Sequence, residues 1–179
     1  IGIDFTPAMI EKARANAQQL GYSNVEFRQG DIDDMPVAAD KADVVVSNCV
    51  LNLVPDKARV FKEIYRVLKP GGHFSISDVV LVGELPEGIK KDAEMYAGCV
   101  SGAIAKEEYL QLITANGFEN ITLQKEKAIR IPDDILSRYL DNVGMDRFKS
   151  GDFGIVSITV YAEKPIGGNT LCCGTDCCN

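Results

Sequence analysis

The sequence predicts an α/β fold with a mostly parallel sheet and flanking helices. Short apolar runs typical of buried strands alternate with helical patterns along the first half of the 179-residue chain. Strand–helix–strand units of this kind form parallel sheets with right-handed crossovers. The chain length suits one domain with a sizeable core.

The first unit is a strand end at residues 1–3 followed by a well-marked helix. Thr6 fits the N-cap position, and Pro7 fits the first helical position, where its missing N–H costs nothing. Apolar residues then recur at helical spacing, and Gly21 closes the helix.

Two strands and a second helix follow. Residues 24–28 form a short strand, residues 30–36 a polar loop, and residues 42–47 a strand with the composition of a buried one. Asp56 caps the next helix, and the Lys-Pro-Gly-Gly turn at residues 69–72 stops it.

The remaining elements are less regular, and each is predicted from its own pattern. They are strands at residues 73–81, 121–129 and 154–163, helices at residues 87–96, 106–116 and 132–140, and a flexible Cys-rich tail from residue 165.

Composition excludes several classes of partner. The formal net charge is −7 and Lys and Arg are not clustered, which argues against nucleic acid or an anionic membrane as partner. No apolar run approaches membrane-spanning length, and no signal-peptide pattern is present. We therefore expect a cytoplasmic, monomeric protein whose six cysteines are reduced.

Two carboxylates follow strands at positions suited to a nucleotide. Asp4 ends the first strand, where an acidic residue can accept hydrogen bonds from ribose hydroxyls. It can equally be a helix-start aspartate favoured by the helix dipole. Asp31 follows the next strand, as either an acceptor for an adenine amino group or a surface loop carboxylate.

Two solitary cysteines are the main candidates for chemistry. Cys49 lies just after the strand at residues 42–47, and ligands of α/β proteins bind at the carboxyl ends of strands. Cys99 lies in a Gly-Cys-Val-Ser-Gly-Ala segment. The alternative is that both are buried apolar residues, a common role for free cysteine. His73, the single histidine, is predicted to be structural or solvated.

The order strand, acid, helix, strand, Gly-Asp, strand, Ser-Asn-Cys, helix, Lys-Pro-Gly-Gly resembles class I S-adenosylmethionine-dependent methyltransferases. Residues 68–78 look like the family's turn and strand after the fourth helix, and residues 2–9 look like its ribose-binding segment. The resemblance covers most of the chain. It implies a Rossmann-like class I methyltransferase fold with S-adenosylmethionine as cofactor.

Within that superfamily the chain is similar to arsenite methyltransferases. Residues 47–53 and 96–103 look like that family's two arsenic-binding cysteine segments. The resemblance implies that Cys49 and Cys99 are catalytic ligands of trivalent arsenic, the substrate. It also implies a cofactor site in which Asp4, Phe5 and Thr6 line the ribose and adenine pocket, Gly30, Asp31 and Ile32 border the adenine, and Asn48 contacts the methionine part.

The implied chemistry is self-consistent. Trivalent arsenic is soft and binds thiolates well. Its lone pair is itself the nucleophile toward the sulfonium methyl, so no general base is needed, and catalysis comes from positioning and desolvation. The expected partners are arsenite or its thiol conjugates and a thiol reductant. The alternatives are a quinone or sterol methyltransferase of the same fold, or a non-catalytic thiol protein that binds arsenite.

The chain departs from the family at its start. The family's glycine-rich loop and first strand, which is central in the sheet, are missing, as are its additional N-terminal cysteines. We therefore expect a gap in the sheet, a longer parent protein that carries the function, and poor cofactor binding by this chain alone. The predicted division is residues 1–82 in the cofactor domain, 83–164 in a substrate-side cap with the final strands, and 165–179 in the tail.

Overall fold

Two β-sheets separated by a cleft form the framework of the protein. The computed structural model describes residues 1–90, 100 and 102–167. A 3-10 turn at Leu51–Leu53 follows the third strand, and residues 87–90 are helical. The elements in chain order are β1 Gly2–Asp4, α1 Pro7–Gln19, β2 Phe27–Gln29, β3 Ala42–Asn48, α2 Lys57–Val67, β4 Leu68–Val82, α3 Lys106–Ala115, β5 Glu119–Ala128, α4 Asp133–Leu136, α5 Asn142–Ser150 and β6 Gly154–Glu163.

The strand pairs of the first half of the chain are parallel, and the two pairs that include β6 are antiparallel. β1 pairs in parallel with β2 as one small sheet. The second sheet has the order β3-β4-β6-β5, in which β3 and β4 are parallel. β6 lies between β4 and β5 and runs antiparallel to both. The α/β class with flanking helices is confirmed, and the sheet is mixed because β6 alone runs opposite to β3, β4 and β5.

A cleft of about 600 Å³ separates the two sheets. Its walls include β1 on one side and β3, along its whole length, on the other. The gap expected in the sheet lies here. Val44 and Val46 are 47% and 75% exposed, so β3 is not the fully buried strand that its composition predicts. Among the described residues, no strand pairs with this edge of β3.

The main core lies between the larger sheet and the helices α2 and α3. Phe61 of α2 packs edge-on against Tyr109 of α3, with 5.4 Å between ring centroids, and it also contacts Phe74 of β4. All three side chains are fully buried. Burial of each large apolar side chain contributes about 1.5–3 kcal/mol, so this cluster anchors β4 firmly.

The element boundaries follow local sequence signals closely in several places. Thr6 is the N-cap of α1 with Pro7 in its first turn, and Gly21 follows the helix with φ +71°. Asp56 caps α2 by accepting a hydrogen bond from the Arg59 N–H at 3.0 Å. β6 spans the predicted residues, since its alternating pattern buries every second side chain.

Other boundaries differ from the prediction. β4 begins at Leu68, so the predicted helix stop at residues 69–72 is part of the strand. The predicted strand at residues 24–28 is β2, three residues long and displaced toward Gln29. The predicted helix at residues 132–140 is the single turn α4, and α5 was not predicted. Of the predicted helix at 87–96, residues 91–96 lie outside the described ranges.

Candidate active site

The carboxyl ends of β1 and β2 bring three predicted cofactor residues together. The Asp4 carbonyl accepts a hydrogen bond from the Gly30 N–H at 3.1 Å, which joins the two strand ends. Asp4 Oδ1 accepts from the Thr6 N–H at 2.8 Å, and the Thr6 side chain makes no capping bond of its own. Asp4 therefore takes the helix-start role, and the same contact fixes its carboxylate at the strand end.

Phe5 presents its ring to solvent beside this point. Its side chain is 68% exposed, and its carbonyl accepts a hydrogen bond from Gln29 Nε2 at 3.3 Å. The backbone of Phe5 is thus held by β2 while the ring is available as one wall of an open pocket.

The loop after β2 requires a glycine at its start. A Cβ on Gly30 would lie 2.6 Å from the Pro36 ring, so the loop folds back over this residue. The Asp31 carbonyl accepts from the Asp34 N–H at 3.3 Å, which closes a tight turn. Ile32 packs against the main core and lines the cleft.

The carboxyl end of β3 lies on the opposite side of the cleft. Asn48 pairs with Ser77 of β4 and lines the cleft. Cys49 follows, and its N–H donates to the Ser77 carbonyl at 2.8 Å. The thiol is half-buried and packs against the second apolar cluster, which includes Val79 and Val100.

Cys49 has an unusual backbone conformation. Its φ is +55°, in the left-handed region that non-glycine residues rarely adopt. For an L-residue this costs about 1–2 kcal/mol, and such strain persists where the surrounding structure over-determines it, often at functional sites. Cys49 is half-buried and follows β3 directly, so its thiol is a candidate for the chemistry of the cleft.

Sequence reasoning missed a buried polar group near Cys49. Asp78 of β4 is fully buried, and its Oδ2 accepts a hydrogen bond from the Tyr109 hydroxyl at 3.4 Å. The nearly buried Lys57 ammonium interacts favourably with the same carboxylate. The sequence does contain a signal for this group. Phe74, Ile76 and Val80 alternate along the buried face of β4, and Asp78 occupies an apolar position in that series.

Burial dominates the ionisation of this group. Loss of solvation raises the pKa of Asp78 to about 6, although the Val79 N–H, Lys57 and the Tyr109 hydroxyl each lower it. Burial, followed by the charge of Asp78, raises the pKa of the Tyr109 phenol. Burial likewise lowers the pKa of Lys57. Asp78 therefore interacts with both Lys57 and Tyr109, and it lies next to Ser77, which pairs with the last residue of β3.

Several predicted features lie elsewhere or outside the described residues. Cys99 and the four tail cysteines fall in residues 91–99 and 168–179, so the pairing of Cys49 with Cys99 stays a prediction. His73 lies beside Tyr161 with ring centroids 5.0 Å apart, which fits a structural histidine. Within the described ranges, no cluster of three His, Cys, Asp or Glu could hold a metal ion, and no helix is long and apolar enough to span a membrane.

Known proteins are similar to this chain in both sequence and fold. A family model described as a methyltransferase domain matches residues 1–117. Arsenite methyltransferases from Halobacterium salinarum and Homo sapiens are 41% and 38% identical over 92% and 85% of this chain. The crystal structure of an arsenic(III) S-adenosylmethionine methyltransferase from Chlamydomonas reinhardtii superposes on 93% of the chain with a TM-score of 0.73 and 34% identity.

The chain spans about half the length of these relatives or less. It covers 40% of the Halobacterium protein, 42% of the human protein and 55% of the Chlamydomonas chain. The predicted resemblance to class I methyltransferases is confirmed by the matched family model and by the fold. The chain belongs to the methyltransferase domain family.

Proposed function

We propose that the protein containing this chain is an enzyme that transfers a methyl group from S-adenosylmethionine to thiol-bound trivalent arsenic. One observation carries the proposal: Cys49 is held in a strained, left-handed turn at the carboxyl end of β3. A thiol in that position suits a soft substrate that binds thiolates. The similarity to arsenite methyltransferases over most of the chain supports the same assignment.

The residues on the other side of the cleft fit one end of the cofactor. The Asp4 carboxylate at the end of β1 suits a vicinal diol, and the exposed Phe5 ring suits a flat base. Gly30, Asp31 and Ile32 border the same end, and Asn48 would hold the methionine part across the cleft. When bound, the cofactor supplies a methyl group on a cationic sulfonium.

The role of the protein residues is to position the reactants. Cys49, with Cys99 as the proposed second ligand, holds the arsenic so that its lone pair is free to attack the methyl group. In the full-length protein, the apolar lining of this cleft would help to exclude water from the reacting atoms. No described residue needs to remove a proton, because the arsenic lone pair needs no activation.

The proposal extends to partners and location. Arsenite or its thiol conjugates are the substrates, and a thiol reductant maintains the trivalent state. We also propose a monomeric, cytoplasmic protein without nucleic-acid or membrane partners. The net charge of −7 and the absence of a Lys/Arg cluster in the sequence support only the lack of those two partners.

The direct test uses the full-length gene product with labelled S-adenosylmethionine, a thiol reductant and arsenite. Arsenic species are separated by chromatography with elemental detection. We expect methylated arsenic from the parent and none from Cys49→Ser or Cys99→Ser. Cys178→Ser removes a tail thiol while leaving both proposed ligands in place, so it tests separately whether the tail captures arsenic or is dispensable.

Two other results would contradict the proposal. Bound arsenic that co-elutes with the protein, without methylated species, would indicate a protein that sequesters arsenite. If neither binding nor methylation of arsenic is found, the substrate is a carbon or oxygen acceptor, as in quinone or sterol methyltransferases.

The cleft leads to a separate expectation for the chain alone. Because the sheet is open between β1 and β3, residues 1–179 should bind S-adenosylmethionine far more weakly than the full-length protein. Isothermal titration of both proteins checks this. Micromolar binding by the isolated chain would show that the cofactor site is complete without further residues.

A further inference from the structure

We propose that Asp78 is a positioning residue that holds the Cys49 turn in the geometry required for binding arsenic. The role of the thiol rests on the proposed function. The role of Asp78 rests on a set of hydrogen bonds that join the turn to β4 and on the burial of the carboxylate.

β4 continues beyond the end of its parallel neighbour. β3 ends at Asn48, opposite Ser77, whereas β4 extends to Val82. The backbone groups of β4 that face this side must find partners other than a strand, because buried polar groups are costly when unpaired. At Leu81, the N–H donates to the Ile104 carbonyl at 2.9 Å.

The turn itself supplies the partners nearer to β3. The Ser77 carbonyl accepts from the Cys49 N–H at 2.8 Å. The Val79 carbonyl accepts from Asn52 Nδ2 at 2.6 Å, and Asn52 is buried in the 3-10 turn that follows Cys49. Residues 77 and 79 of β4 therefore hold both ends of the segment that carries the thiol.

Asp78 completes this anchor. Its Oδ1 accepts from the Val79 N–H at 3.0 Å, and its Oδ2 accepts from the Tyr109 hydroxyl at 3.4 Å. The carboxylate thus fixes the peptide between Asp78 and Val79, whose neighbouring carbonyls bind Cys49 and Asn52. Tyr109 links the anchor to α3 and the main core.

Stability alone does not explain a carboxylate at this position. Asp78 is fully buried on an otherwise apolar face of β4, where a hydrophobic side chain would avoid the cost of desolvation. The strained φ of Cys49 needs rigid support, and Asp78 supplies it. Without the carboxylate, the anchor loosens and the thiol leaves its position.

The experiment compares four variants of the full-length protein. Asp78→Ala removes the acceptor, Asp78→Asn keeps an oxygen that can accept from the Val79 N–H, and Tyr109→Phe removes only the hydroxyl. Ile113→Ala, which opens a cavity in the same core, is the control for lost stability. The measurements are the KM for arsenite, the KM for S-adenosylmethionine, and the rate at which iodoacetamide alkylates Cys49, followed by mass spectrometry of its peptide.

Asp78→Ala should raise the KM for arsenite by about 10- to 100-fold, the range typical for residues that orient a ligand, and should leave the cofactor KM unchanged. The same variant should change the alkylation rate of Cys49. Asp78→Asn should restore most of the parent behaviour, and Tyr109→Phe should shift the values in the same direction as Asp78→Ala by a smaller factor. Ile113→Ala should lower the melting temperature without changing either KM.

Parent values of arsenite KM and alkylation rate in folded Asp78→Ala would overturn the inference. If Asp78→Ala does not fold, parent values in Tyr109→Phe would overturn it instead. Failure of the proposed function is a distinct result, because the parent itself would then methylate no arsenic. In that case the rate of Cys49 alkylation decides. A rate that changes only in the Asp78 and Tyr109 variants supports positioning of the thiol by Asp78. Equal rates in the parent and these variants would overturn the inference.

Discussion

The two sides of the cleft are built in opposite ways. On the side of β1 and β2, the candidate residues lie at or just after the ends of three-residue strands and depend on short backbone contacts, and Phe5 is largely exposed. On the side of β3, the Cys49 turn is tied to β4, which is buried against α2 and α3. The proposed thiol site is therefore supported by the core, whereas the proposed cofactor site borders the gap between the two sheets.

The largest expected effect separates two phenylalanines, one from each side. Phe61→Ala should lower the free energy of unfolding by about 3–5 kcal/mol, because it leaves a cavity beside Phe74 and Tyr109. Phe5→Ala should change it by less than about 0.5 kcal/mol, since the ring is exposed. Urea denaturation measures both. Similar losses in the free energy of unfolding for the two variants would show that both sides of the cleft are equally well packed.

The pH dependence of stability sharpens the comparison on the thiol side. The pKa of Asp78 is raised from 3.8 to about 6, so its contribution to stability is fully present below about pH 4 and is lost as the pH rises through 6. Between pH 4 and 7 the parent should lose about 2 kcal/mol relative to Asp78→Asn. Lys57 and Tyr109 are the ionisable groups that face this carboxyl. Urea denaturation at both pH values measures the difference, and a difference independent of pH would contradict the raised pKa.

A glycine pair tests the cofactor side. Gly30→Ala should lower the free energy of unfolding by about 1–3 kcal/mol, because the new Cβ would meet the Pro36 ring. It should also weaken binding of S-adenosylmethionine by the full-length protein. Gly167→Ala meets nothing within 4 Å and is the control. An unchanged melting temperature in Gly30→Ala would mean that the loop at residues 30–36 can shift to accommodate the added Cβ.

The smallest expected effect is at a helix cap. Asp56→Ala removes the acceptor for the Arg59 N–H and should cost about 1 kcal/mol. The helix α2 packs against β4, and Lys57 follows the cap directly. The effect should therefore appear as a small fall in the melting temperature, while the KM for arsenite and the KM for S-adenosylmethionine should not change. Asp56→Asn keeps an acceptor and should restore most of the loss.

Local signals in the sequence predict much of the fold. The Thr6 and Pro7 start of α1, the Asp56 cap and the alternation of β6 all depend on neighbouring residues. The exposure of Val44 and Val46 depends instead on which elements pack against β3, and the composition of β3 cannot reveal them. For the same reason, the mixed sheet follows from tertiary pairing and not from periodicity.

The candidate site divides in the same manner. The order of the predicted elements places Cys49 directly after a strand, and the resemblance to class I methyltransferases implies the cofactor residues. The left-handed φ of Cys49 and the contacts of Asp78 arise where β4 extends beyond the end of β3. The pairing register of these two strands cannot be read from the sequence. An acid within the apolar alternation of β4 was the available signal.

The open side of β3 has a practical consequence for purification. β3 is the edge strand of its sheet, and Val44 and Val46 are exposed along it. An uncovered apolar strand edge is a template for pairing with another polypeptide. Preparations of residues 1–179 alone should therefore self-associate as their concentration rises, and a charged substitution such as Val46→Lys should keep them dispersed.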